Sequence, residues 1–266
     1  TRVRSSAASD VYKRQKRRRR PNLNHYIVLG AAALAGGAIN SVAGGGSFLT
    51  FPALVLTGVP AIPANATNNT AMWLGVVASA RGYREDVRGL RRMLLAACIV
   101  SALGALAGAI LLLRTPPAIF ERMIPWLLLF ATLVFAISPW LTKKHDSARP
   151  HTPWQLAAQF AVAVYGGYFG AGIGILMLAI LSFSGLPNLN VMNGLKTVLS
   201  VVINGVALVP FVIAGIIVWQ IALLMAIFTM LGGYFGARFF RRVPSPVTRA
   251  AVLCIGVAMT AYFFTR

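Results

Sequence analysis

The sequence predicts an all-α, polytopic membrane protein: about eight transmembrane helices in two repeated four-span halves, with Gly-broken helices at the centre. Three observations carry that expectation. Of 266 residues, 58% are hydrophobic and only 11% charged, with a mean hydropathy of +0.73. Segments separated by 127 or 128 positions resemble one another. Each half also carries a glycine-rich interruption inside an apolar run.

Composition sets the class. Soluble domains carry about 25% charged residues. The apolar runs 26–43, 92–113, 123–141 and 247–264 each approach or exceed the roughly 18–20 residues that cross a bilayer. Between Arg149 and Arg238 the one charged residue is Lys196. The net charge of +20 comes from 25 basic and 5 acidic residues, nine of the basic ones within the first 20 positions. In a chain this apolar, Lys and Arg at helix ends set membrane orientation, and no nucleic-acid partner is expected despite the basic balance. Residues 1–20 are read as an artefact or a disordered basic N-terminus. "RSSAASDVYKRQ" (4–15) resembles translated adapter read-through and lacks the apolar core and cleavage site of a signal peptide. "KRRRR" (16–20) would serve as an orientation anchor. Cys98 and Cys254 lie in apolar spans with no CxxC or Cys/His cluster. They are expected to be small buried hydrophobes, with no metal or other cofactor.

The repeat rests on spacing. Gly58-Val59-Pro60 and Gly185-Leu186-Pro187 are 127 positions apart, and the same offset aligns Gly45 with Gly172, Leu49 with Leu176, Leu54 with Leu181 and Thr70 with Thr197. At offset 128, "LGALAGA" (103–109) meets "LGGYFGA" (231–237), Arg114 meets Arg242 and Pro116 meets Pro244. A near-constant offset over such a length indicates duplication. The expected organisation is a first repeat at 25–141, a linker at 142–153 and a second repeat at 154–266. Trp126, Trp140, Trp154 and Trp219 fall near expected span ends, where indole prefers the headgroup region. The run "GALAGA" (104–109) suits close helix packing in lipid. Orientation stays open between two arrangements. Eight spans with a cytoplasmic N-terminus place the Arg-rich connection 81–92 inside, but leave Arg238, Arg241, Arg242 and Arg249 outside. Counting each short piece after a break as a crossing brings those four inside and inverts the halves, but leaves residues 16–20 outside.

The breaks locate the chemistry. A backbone break in lipid exposes N–H and C=O groups that cost several kcal/mol each unless they are buried in protein or line a cavity. Matched Gly interruptions in two halves point to a transporter's binding site; the alternative is tight helix crossing. Here they are "AGGGS" (43–47) and "GAGIG" (170–174). Each is followed by a polar patch at the start of the next helix: "NATNNT" (65–70) and "MNGLKT" (192–197). Capping is the alternative there, though it needs only one or two such residues. Lys196 is an intramembrane charge and therefore a functional candidate, against the alternative of snorkelling to the interface. All four acids after position 20 are expected in loops, and His25, His145 and His151 lie at a span edge or in a loop. A carboxylate-based cation pump or proton relay, a metal site and an intramembrane enzyme are therefore not expected. One Lys, amide and hydroxyl donors and Gly-opened helix N-termini favour an anion.

"AINSVAGGGSFLTFPALVLTGVPAIPANATNNTAMW" and its echo "GYFGAGIGILMLAILSFSGLPNLNVMNGLKT" resemble the sulfite exporter TauE/SafE family of membrane permeases, and the likeness covers nearly the whole chain after about position 25. It implies an inner-membrane, multi-pass carrier of duplicated four-span halves, not an enzyme, that moves sulfur-containing or carboxylated organic anions. By motif match the candidate substrate-binding residues are Asn40, Gly44, Gly45, Gly46, Ser47, Asn65, Thr67, Asn68, Asn69, Thr70, Gly170, Gly172, Gly174, Asn193, Lys196 and Thr197. The expected partners are a small anionic substrate and the lipid bilayer, with homo-oligomerisation left open. A passive anion channel and a non-transporting membrane anchor or assembly subunit are the alternatives.

Overall fold

Ten α-helices, with no strand among the described residues, form the computed structural model, which describes residues 22–80, 91–141, 153–183, 189–239 and 245–265. The basic head, the Arg-rich connection 81–90, nearly all of the expected linker, the second Gly-x-Pro and the Trp140 side chain lie outside the described residues. In chain order the helices are α1 (Leu23–Ala43), α2 (Ser47–Leu56), α3 (Ala61–Ala80), α4 (Arg91–Arg114) and α5 (Pro117–Leu141). Then come α6 (Pro153–Tyr168), α7 (Ile173–Ser182), α8 (Leu189–Ile213), α9 (Trp219–Phe239) and α10 (Ser245–Thr265).

Among the described residues, four segments are long and apolar enough to cross a membrane: Leu94–Arg114, Pro117–Ile137, Val191–Ile213 and Trp219–Gly236. The helix α1 has 21 residues and α3 has 20, about 30 Å each at 1.5 Å per residue. Two helices, α2 and α7, have 10 residues each and are apolar. Large apolar side chains stay exposed on the perimeter, among them Ile99 and Leu103 on α4, Leu133 on α5, and Leu223 and Ile227 on α9. That is the pattern of a bundle whose outer face meets lipid. Inside, Phe48, Phe51, Phe120 and Phe211 are fully buried, and Phe51 meets Phe169 edge to face at 5.2 Å.

Small residues decide which helices pack. A Cβ on Gly232 would stand 1.9 Å from the Leu34 carbonyl oxygen, and one on Gly236 2.6 Å from Ala38 Cα. Along the other seam, a Cβ on Gly104 would stand 2.7 Å from the Phe160 carbonyl oxygen and one on Gly108 2.1 Å from that of Val164. Both sets of contacts rise in the same order on the two partners, so α1 runs parallel to α9 and α6 parallel to α4. The helix α3 also runs parallel to α9, through Thr67 to Val218 and Gly75 to Thr229. In contrast α5 and α10 are antiparallel, through Trp126 to Phe264 and Thr132 to Gly256. The short α2 turns back along α1: its Thr50 lies against Gly36, and Gly46 against Gly36 and Asn40.

These directions sort the helix ends. One end of the bundle, the first, gathers the starts of α1, α3, α5 and α9 with the ends of α2, α4, α8 and α10. The second end gathers the starts of α4, α6, α8 and α10 with the ends of α3, α5, α7 and α9. Hence α1 enters from the first end and α6 from the second.

Three expectations need correction. Glu121 lies in α5, not in a loop, because Pro117, suited to the first helical turn, starts the helix six residues before the apolar run at 123. It is exposed and lines no part of the core. For the same reason Trp126 is the tenth residue of α5, well inside the helix, whereas Trp154 and Trp219 open theirs. Cys254 is exposed on α10 and Cys98 half-buried, since lipid-facing positions tolerate a small apolar side chain as well as core positions do.

The α1–α9 seam makes a sharp prediction. Gly232→Ala forces a methyl into the Leu34 carbonyl and should cost about 1–3 kcal/mol. Gly233→Ala meets nothing closer than 3.9 Å and should leave the melting temperature in mild detergent within a degree or two, or raise it slightly through helix propensity. Equal melting temperatures for the two variants would contradict the seam.

Candidate functional site

The two breaks form because glycine is the residue that leaves the right-handed helix most cheaply. The α1 helix stops at Gly44 (φ 75°), whose N–H still bonds the Asn40 carbonyl at 3.2 Å. The α6 helix stops at Tyr168, and Gly170 (φ 81°) and Gly172 (φ 76°) turn the chain into α7. The breaks are in contact. A Cβ on Gly174 would lie 3.8 Å from Gly44 Cα, and one on Gly44 3.9 Å from Gly174 Cα. The Lys196 stem covers the same spot, with Cδ 3.4 Å from that Gly174 position. Phe48 caps the pair, its ring 3.8 Å from the Gly172 Cβ position and 3.2 Å from that of Gly45.

Two short helices thus begin at one place and diverge, α2 toward the first end and α7 toward the second. Their N-termini, with the positive ends of their dipoles, meet inside the bundle. Within these turns, the N–H groups of Gly45, Gly46, Ala171 and Gly172 donate to no described group. All four residues are buried. Lys196 is half-buried, and its amine forms no hydrogen bond or ion pair with a described residue. Ser47, half-buried, is the first residue of α2.

The polar patch on α3 behaves differently. Asn65 is the fifth residue of its helix and Thr70 the tenth, so the patch sits beyond the cap positions. Every one of its polar side chains is buried. Most of their capacity is used within the protein. Asn65 Nδ2 donates to the Tyr168 carbonyl at 2.9 Å, tying α3 to the end of α6. The Thr67 hydroxyl accepts from the Val218 N–H at 3.1 Å, beside the start of α9. Thr50 Oγ1 donates to Asn68 Oδ1 at 2.5 Å, tying α2 to α3. Thr70 bonds the Ala66 carbonyl of its own helix. Left over are Asn65 Oδ1 and Asn69 Oδ1, buried and without a partner. On α8, Asn193 is half-buried, and Thr197 donates to its carbonyl at 2.7 Å.

Of the sequence candidates, the structure therefore brings together Gly44, Gly45, Gly46, Gly170, Gly172, Gly174 and Lys196, with Asn40 behind them. It gives Asn65, Thr67, Asn68 and Thr70 bonding duties between or along helices. Two contributors were missed. Thr50, a lone hydroxyl in the apolar "SFLTFP", is the residue that links the first break's short helix to the patch, and its polarity in that setting was the available signal. Phe48 seals the breaks, and nothing separates it in sequence from any other apolar residue. No group of three or more metal-ligating side chains occurs among the described residues.

The family model "Sulfite exporter TauE/SafE" matches residues 28–263. A "Probable membrane transporter protein" of Haemophilus influenzae is 30% identical over 84% of this chain and 88% of its own length. "Probable membrane transporter protein ORF9" of Sinorhizobium sp is 26% identical over 86% of this chain and 88% of its own. "Probable membrane transporter protein YfcA" of Escherichia coli (strain K12) is 27% identical over 88% and 87%. No solved structure matches the chain.

If the patch is structural glue, stability should report it. Asn65→Ala strands the Tyr168 carbonyl and should cost about 1–3 kcal/mol in thermal unfolding. Thr197→Val removes a bond confined to one helix and should cost clearly less. A milder effect of Asn65→Ala than of Thr197→Val would contradict the assignment.

Proposed function

The chain belongs to the sulfite exporter TauE/SafE family, whose members are membrane transporters and not enzymes, and on that premise we propose that it is a secondary carrier of a small anion. The cargo is sulfite, a sulfonate or a related organic acid, held between the two breaks. The observation that carries this reading is the set of unclaimed donors where the breaks meet: four buried backbone N–H groups and the amine of Lys196. A buried donor without a partner costs about 1–3 kcal/mol. An oxyanion offers several acceptor oxygens at once, and helix N-termini together with a lysine favour its charge. Gly44 and Gly174 lie against each other, so in this reading an anion held by both breaks couples occupancy to the relative position of the halves.

The halves are inverted repeats, in which α1 and α6 enter from opposite ends and break inside the bundle, and α2 and α7 are the return legs from the breaks. The equivalent seams α1–α9 and α4–α6 support this, as does the opposite entry of α1 and α6. Inverted repeats give the alternating access a carrier needs, each half rocking against the other around one site. Of the sixteen Lys and Arg residues after position 20, twelve lie in or beside connections at the second end, from Arg81 to Arg249. By the positive-inside rule that end faces the cytoplasm of an inner membrane.

Orientation is testable first. In a chain with Cys98 and Cys254 replaced by alanine, Ser147→Cys and Pro244→Cys should react with a membrane-impermeant maleimide only from the cytoplasmic side, and Thr115→Cys only from the opposite side. Reaction of Ser147→Cys and Pro244→Cys from different sides would exclude the inverted arrangement.

For the site, proteoliposomes offered a panel of sulfite, sulfonates and small carboxylates should accumulate at least one anion against its gradient. Lys196→Ala should lower that flux by about tenfold or more, the worth of one charge-assisted hydrogen bond. Unchanged flux would remove the lysine from the site. Flux that never exceeds equilibrium would point instead to a channel.

A further inference from the structure

Away from the breaks, a cavity of about 720 Å³ opens at the first end of the bundle, between the end of α2, the start of α5 and the end of α10. Apolar and aromatic side chains line it beside polar atoms, with Val59, Ile124, Trp126 and Phe264 among the former. Two charged residues line it, Glu121 and Arg122. They are adjacent in sequence, exposed, and form no ion pair or hydrogen bond with each other or with any described residue. They are also the charged residues of the span Pro117–Ile137. One turn deeper, about 6 Å along the helix, Trp126 is 63% exposed and meets the 47% exposed Phe264 edge to face at 5.0 Å. The charged pair thus lies in the first turns of α5 at this end of the bundle, with the indole one turn farther along the helix.

We propose that this cavity holds the headgroup of one phosphatidylethanolamine molecule. A lone carboxylate and a lone guanidinium beside hydrocarbon are both costly. A zwitterionic headgroup brings the opposite charge to each. The planar guanidinium of Arg122 matches phosphate oxygens in a two-pronged bond, and the Glu121 carboxylate accepts from a primary ammonium. A quaternary choline has no N–H to donate, and a glycerol headgroup has no cation, so the pair of side chains selects ethanolamine over both. Trp126 and Phe264 line the route of the acyl chains. The proposal rests on the first end lying at a membrane surface and is independent of the anion site.

The test uses the full-length protein, purified in mild detergent and stripped of endogenous lipid. It is then titrated with phosphatidylethanolamine, phosphatidylcholine or phosphatidylglycerol and followed by native mass spectrometry and thermal melting. Retention of phosphatidylethanolamine should exceed that of the other two several-fold, and this lipid alone should raise the melting temperature. Arg122→Gln should lower retention of all three lipids, since each carries the phosphate, and Glu121→Gln should bring phosphatidylethanolamine down to the level of phosphatidylcholine. Both side chains are exposed, so unchanged elution profiles will confirm folding. Equal retention of the three lipids, or a preference untouched by both substitutions, would overturn the proposal. So would equal competition by soluble glycerophosphoethanolamine, which would assign the cavity to a free headgroup. Lost anion flux in Arg122→Gln with lipid retention intact would overturn it too, and would make the cavity a vestibule for cargo.

Discussion

The structure depends on one constraint: a broken backbone inside an apolar bundle must be shielded from hydrocarbon. Each break alone would leave amide groups facing lipid. Here each shields the other. Gly44 lies against Gly174, Phe48 covers Gly172 and Gly45, and the Lys196 stem lies over the pair. That arrangement covers the turns, yet four N–H groups have no acceptor among the described residues. Those unclaimed donors are what the proposed anion would use.

Holding the two breaks together requires the segments that carry them to interlock, and in the proposed arrangement these are the two halves. The first helix of one half packs on a late helix of the other, α1 on α9 and α6 on α4, and glycines at both seams let the backbones touch. The α3 patch then ties the pieces together. Asn65 reaches the end of α6, Thr67 the start of α9, and Asn68 takes the hydroxyl of Thr50 on α2. Lys196 is the asymmetric element. At the 127 offset its counterpart is Asn69, so the charge enters from one half only.

Much of this was legible in the sequence, and the reasons are physical. Glycine runs in apolar surroundings are costly without a purpose, so the interruptions at 43–47 and 170–174 marked real helix ends. The small-residue run at 104–109 became a tight crossing, as its lack of side chains requires. Lys196 stood out as a charge in an apolar span, and its stem lies at the breaks. The helix start at Pro117 was less legible, because Glu121 and Arg122 hid the first turns of an apolar helix. So was the role of the asparagines: the same amide can hold a ligand or a neighbouring carbonyl, and only the position of Tyr168 decides between them for Asn65. Direction within the bundle was not legible either, since it depends on whether a 10-residue piece returns or continues.

The central claim is that the amides at the two breaks hold the anion. Hydrogen–deuterium exchange in lipid nanodiscs, with and without a transported anion, tests it most directly. The account predicts slower exchange in peptides covering both 45–47 and 171–174, together and at the same anion concentration. Protection at one break only, or elsewhere with both breaks unchanged, would contradict it.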